Sequence, residues 1–320
     1  MEARTLRTAA AKIRALEANI GQVFLGKPEA IRLAIVSLLS GGHALIEDVP
    51  GVGKTVLAKA LARSIDCSFQ RIQFTADLLP SDIIGVSIYE PDKGAFVFKP
   101  GPIFAHIVLA DEINRSTPRT QSSLLEAMNE RRVSVDRISH ELPQPFMVLA
   151  TQNPFEFEGT FPLPESELDR FFLRVTIGYP PHAQEREILA RQLTPRAVDA
   201  LRPVLTAEEV MELQEQVTAV RLEDSLMEYL LALVEKTRQG EAFEMGISPR
   251  GALMLSRGCR ALALTEGRDY CLPDDIKRLI LPVWEHRLTP RGSGGGRAAA
   301  DRQAVHEALM AILQSTPVPV

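Results

Sequence analysis

Residues 47–55 read Glu-Asp-Val-Pro-Gly-Val-Gly-Lys-Thr, between the apolar run His43, Ala44, Leu45, Ile46 and an alanine- and leucine-rich stretch beginning at Val56. A short strand, a glycine-bearing turn and a helix in that order wrap phosphate groups in backbone amides. Gly51 and Gly53 stand where the backbone must approach phosphate oxygens. Lys54 is placed to reach β- and γ-phosphates, and the Thr55 hydroxyl to ligate a Mg2+ ion that bridges them. The expected nucleotide-binding set is Asp48, Val49, Pro50, Gly51, Val52, Gly53, Lys54, Thr55 and Val56. The strict pattern has glycine where this chain has Asp48. That position lies farthest from the phosphates, where an aspartate can accept hydrogen bonds from nearby amides.

A chain of 320 residues with 45% hydrophobic and 24% charged content has room for two globular domains. It contains no apolar run long enough to span a membrane and its first residues lack a secretion-signal core, so the expected location is cytoplasmic, with no membrane insertion. Cys67, Cys259 and Cys271 are far apart and lack metal-ligand spacing, and the histidines form no metal-binding motif. A net charge of −5 speaks against a broad nucleic-acid surface.

Hydrophobic periodicity predicts helices over residues 6–20 and 28–39, then the phosphate-loop strand and helix. Strands follow at 68–74, 103–112, 146–151 and 173–177, with a helix at 118–131 and hairpins at 86–98 and 132–142. Strands alternating with helices imply a mainly parallel sheet covered on both sides. After a break at 179–182 only helical patterns follow, so the expected division is an α/β nucleotide-binding core over 1–180 and a helical domain over 181–320. Residues 289–297, rich in glycine, read as a flexible connector to a last helix.

The buried strand at 103–112 ends in Asp111 and Glu112. Asp111 is suited to hold Mg2+, and Glu112 to orient and polarise an attacking water, so the loop and the carboxylates together imply nucleotide hydrolysis. Asn153 ends another buried strand and could reach the same crevice; before Pro154 it also reads as a plain turn residue.

These residues, with Ala110 to Arg115, Glu126 to Arg131, Ala150 to Pro154, Glu167 to Phe171 and Ser248 to Arg250, occur in an order that resembles the AAA+ ATPases. Within them the chain resembles the MoxR branch of the helix-2-insert group, over nearly its whole length. The resemblance implies ATP as substrate, Asn153 as sensor 1, Arg170 as an arginine finger entering a neighbouring subunit's site, and Arg250 as sensor 2, carried by a helical lid onto its own subunit's γ-phosphate. By residue type alone both arginines read equally as solvated surface groups. The resemblance further implies a homo-oligomeric ring, a hexamer, that remodels a client protein or matures a metal cofactor or complex, with a partner carrying a von Willebrand A domain. The hairpin at 86–98 would be the helix-2 insert and that at 132–142 the pre-sensor-1 hairpin. A nucleic-acid motor or transcription activator, and a magnesium-chelatase-like motor subunit, are the alternatives within the same group.

Overall fold

The computed structural model describes residues 2–153, 159–190, 195–292 and 299–319. Helices α1 (Ala3–Gly21) and α2 (Pro28–Leu39) come first; Pro28, lacking an amide proton, starts α2 where that proton would have no helical partner. Then follow β1 (Ala44–Glu47), α3 (Lys54–Ser64), β2 (Ile65–Asp66), β3 (Phe69–Gln73) and α4 (Pro80–Ile84). The hairpin of β4 (Gly85–Glu90) and β5 (Ala95–Pro100) precedes β6 (Ile107–Asp111) and α5 (Pro118–Glu130). A second hairpin, β7 (Arg132–Val135) and β8 (Ile138–Glu141), leads to β9 (Met147–Gln152), α6 (Glu165–Leu168) and β10 (Leu173–Val175). The remainder is α7 (His182–Ala190), α8 (Pro195–Asp199), β11 (Leu205–Thr206), α9 (Ala207–Thr218), α10 (Asp224–Gln239), α11 (Pro249–Thr265), α12 (Pro273–Trp284), a 3-10 turn at Glu285–Arg287, and α13 (Ala299–Ser315).

Five strands form one sheet in the order β10-β1-β9-β6-β3, every neighbouring pair parallel. The side chains alternate between two cores. Ile46, Leu109 and Leu149 pack to one side, and Leu45, Val108, Ala110 and Val148 to the other. Burial of both faces is why these strands read as continuous apolar runs instead of alternating ones. β6 begins at Ile107, later than the run from Ile103 suggested, because residues 103–106 turn before entering the sheet.

Two features depart from the sequence expectations. Helical patterns were expected alone after residue 180, yet β11 pairs in parallel with β2 through Leu205 with Ile65 and Thr206 with Asp66. Two-residue strands carry no periodicity to detect. Secondly, the apolar core does not part at residue 180. Ile13, Leu16 and Ile20 of α1 share one buried cluster with Leu255 and Leu262 of α11 and with Ile276 and Trp284 of α12. The helical half thus packs on the same side of the sheet as α1 to α3, and α12 with its 3-10 turn lies along β10, covering an edge strand. The connector expected at 289–297 falls mostly outside the described residues.

Candidate functional site

The loop after β1 owes its shape to two glycines in the left-handed region, Gly51 at φ 86° and Gly53 at φ 96°. A side-chain carbon on Gly51 would meet nothing within 4 Å, so backbone conformation demands this glycine and the space beside it is open. Gly53 directly precedes α3, whose first turn begins at Lys54 and aims its amide dipole at the loop. Lys54 Nζ donates to the Asp48 carbonyl at 2.7 Å, which folds the ammonium back along the loop.

Asp48 fastens the loop to the chain leaving the sheet. Its Oδ1 accepts from the Val49 amide at 2.8 Å, and its Oδ2 from the amides of Ile177 and Gly178, both at 2.6 Å. A glycine here would match the strict motif and strand two amide donors beyond β10. Asp48→Gly should therefore lose about 1.5–3 kcal/mol of stability, the range for hydrogen bonds to a charged group, read as a lowered midpoint in urea denaturation. Beside it, buried Glu47 accepts from Gln152 and, at 2.9 Å, from Arg174, whose other nitrogen pairs with Glu285 of the 3-10 turn.

Because the strands run in parallel, Glu47, Asp111 and Gln152 end at one edge of the sheet, and Asn153 follows there. Thr151 ties these ends together: its hydroxyl donates to Asp111 Oδ1 at 2.5 Å and accepts from the Glu112 amide at 2.9 Å. Asp111 Oδ2 takes both Nε and Nη2 of Arg71, at 3.1 and 2.6 Å. Gln73, two residues on and therefore on the same face of β3, donates to Glu112 Oε2 at 2.9 Å, and Arg115 Nε lies 3.1 Å from the same oxygen. Glu112 itself sits in the left-handed region at φ 57°. A non-glycine residue held there costs on the order of 1–3 kcal/mol, offset here by these partners.

One carboxylate, Asp111, with the Thr55 hydroxyl is a hard-oxygen set suited to Mg2+, which keeps several waters and takes few protein ligands. The described residues contain no group of three or more His, Cys, Asp or Glu able to cage a metal by themselves. Arg71 is the cation at Asp111 in this structure, so a metal there would have to share or displace it.

The two arginines lie elsewhere. His43, directly before β1, accepts the Val148 amide at Nδ1 (3.0 Å), so its proton sits on Nε2 and is donated to the Met128 carbonyl at 3.0 Å. The His43 carbonyl accepts from the Phe172 amide at 2.7 Å. Both contacts mark the N-terminal edge of the sheet, roughly 16 Å of strand away from the start of the phosphate loop. Arg170 stands two residues before Phe172. Arg250, at the start of α11, donates to Asn129 at 2.7 Å and lies 4.0 Å from Asp169. The expectation that Arg250 closes over its own loop is therefore not met: the lid's docking on β10 carries Arg250 to the opposite edge, beside Arg170.

Arg287 fixes that docking. Almost fully buried, it donates to Asp169 Oδ1 at 2.8 Å and to the carbonyls of Phe171 and Phe172. Burial, opposed by the Asp169 charge, holds its pKa down at about 10. Sequence reading passed over Arg71, Thr151, Arg174 and Arg287. Only Thr151 carried a signal, as the polar residue beginning the Thr-Gln-Asn end of a buried strand.

Comparison with known proteins places these features in context. Residues 43–173 match the "ATPase family associated with various cellular activities (AAA)", and residues 235–308 match the AAA lid domain. The chain is 49% identical to the uncharacterized protein YeaC of Bacillus subtilis, over 84% of each chain. It is 39% identical to Chaperone MoxR1 of Mycobacterium tuberculosis, over 97% of this chain and 84% of that one. A crystal structure of a Cytophaga hutchinsonii protein assigned as an ATPase superposes with a TM-score of 0.87 at 36% identity, covering 96% of both chains.

Proposed function

We propose, from the premise that this chain belongs to the MoxR family of AAA+ ATPases, that it couples ATP hydrolysis between adjacent copies in a ring to the remodelling of a client protein. The chain is an ATP-hydrolysing enzyme of a chaperone family. The observation that carries the finer reading is the separation within one copy. The phosphate loop, Asp111, Glu112 and Asn153 occupy one edge of the sheet, and Arg170 and Arg250 the other. A heterologous contact repeated around a ring brings the second edge of one copy to the first edge of the next.

In that site the loop amides and Lys54 hold the β- and γ-phosphates of ATP. Mg2+, held through Thr55 and Asp111, would neutralise charge on the same phosphates. Glu112 accepts a proton from the attacking water as its oxygen bonds to the γ-phosphorus and the bond to the β-phosphate oxygen breaks. Asn153 orients that water, and Arg170 of the adjacent copy offsets the charge on the transferred group. ADP and phosphate leave.

The hairpins supply the client side of the reading. Tyr89 and Phe96 pack edge to face at 5.4 Å, with Phe96 73% exposed, and Ile138 on the other hairpin is 61% exposed. His140 stacks on Phe98 at 4.0 Å and meets Phe104 edge-on, so the two hairpins are joined. Exposed apolar side chains on paired hairpins suit a grip on polypeptide. Affinity capture with Glu112→Gln in ATP tests this: a client protein, and a partner with a von Willebrand A domain, should be retained in ATP and released in ADP. Retention of nucleic acid in their place, or retention indifferent to nucleotide, would overturn it.

A further inference from the structure

Beside Arg170 and Arg250 the same sheet edge collects two more guanidinium groups. Arg131 caps α5 in the left-handed region at φ 54° and donates through Nη2 to the Gly41 carbonyl at 3.1 Å. Arg257 lies on α11 seven residues, or about two turns, after Arg250 and hence on the same helix face. A side-chain carbon on Gly41 would stand 3.1 Å from Arg131 Nη2 and 3.4 Å from Arg257 Nη2, so both groups crowd one point.

The cluster is not neutralised. Among the described residues neither Arg131 nor Arg257 has a carboxylate within 4.0 Å, and the nearby Asp169 is engaged by Arg287 with Arg250 at its margin. The surplus is felt by neighbours. Burial first, and then the Arg131 charge, holds Arg257 below the usual arginine range. His43 is pushed down to about 4 by burial, with the charges of Arg131 and Arg250 adding to the shift. Arg131, Arg250 and Arg257 are all exposed, so these like charges face solvent in one copy, and on an edge that one copy turns toward the next they suit an anion of several charges. Guanidinium forks suit phosphate oxygens in particular.

We propose that Arg131 and Arg257 bind the polyphosphate of the nucleotide held by the adjacent copy, extending the contact made by Arg170 and Arg250. The proposal rests on the shared-site reading above. Arg131→Ala together with Arg257→Ala should lower turnover by ~10²-fold, as loss of preorganised charge at a phosphoryl group does, and weaken binding of a fluorescent ATP analogue only in the assembled protein. Arg131→Lys, which keeps the cation, should recover part of the loss.

The deciding experiment mixes the double variant with Lys54→Ala, which cannot use its own loop and still presents its arginines. Restored turnover supports the proposal. A loss shared equally by turnover and melting temperature, with no restoration on mixing, would overturn it and leave Arg131 a cap for Gly41. Arg170→Ala mixed with Lys54→Ala is the control. Its restoration without that of the double variant sinks this proposal alone, and failure of both sinks the shared site as well. A Glu112→Gln donor, which retains nucleotide, repeats the test should Lys54→Ala not assemble.

Discussion

Glu112→Gln should keep nucleotide affinity within a few-fold of the parent protein and lose turnover by at least ~10²-fold, the scale of a positioned general base. The amide keeps the shape and the hydrogen bond to Gln73, so the strand end and the Asp111–Thr151 contact survive. What disappears is a proton acceptor for the attacking water. In the present structure Glu112 is held by Gln73 and Arg115 through the same oxygen, at 2.9 and 3.1 Å. Both contacts fall on Oε2, which leaves Oε1 as the oxygen to take the proton. Turnover that persists in Glu112→Gln would assign the proton to another group and remove the basis for trapping a client in ATP.

Arg170→Ala should lower turnover by ~10³-fold or more, the measured scale for arginines that reach into a phosphoryl-transfer site from outside. On the shared-site reading it acts in the adjacent copy and not in its own. Arg170 is placed by α6 and by the hydrogen bond from the Phe172 amide to His43, at the edge opposite Asp111. The loss should therefore appear in kcat, with the isolated subunit's nucleotide affinity and melting temperature unchanged. A loss confined to melting temperature would make Arg170 a structural residue of the α6 turn.

The parts of this arrangement visible in the sequence are those made by contiguous residues. The phosphate loop needs glycines beside Lys54 and Thr55, and the buried strands need unbroken apolar runs, so both announce themselves. Asp48 was readable as an acceptor of amide protons, though not which ones, since Ile177 and Gly178 follow a strand more than a hundred residues later. For the same reason Arg71 was not readable, and Thr151 only as a polar strand end, without its partners. Each is forty residues from Asp111 and reaches it only because β3, β6 and β9 are neighbours in a definite register. The placement of Arg250 depended on something subtler. A lid can dock on a sheet in more than one way. Here two arginines without a motif hold it along β10, Arg287 of the lid through Asp169 and Arg174 of β10 through Glu285. That docking also merges the core of α1 to α3 with that of α11 and α12, which a boundary drawn from the loss of strand signals could not foresee.

The shared site is tested most directly by mixing two inactive proteins, Lys54→Ala and Arg170→Ala, in equal amounts. The first has an intact Arg170 and no working loop, the second an intact loop and no Arg170. Random placement around a heterologous ring completes about a quarter of the junctions, so turnover should rise to about a quarter of the parent value. A mixture no more active than its components would contradict a site built from two copies.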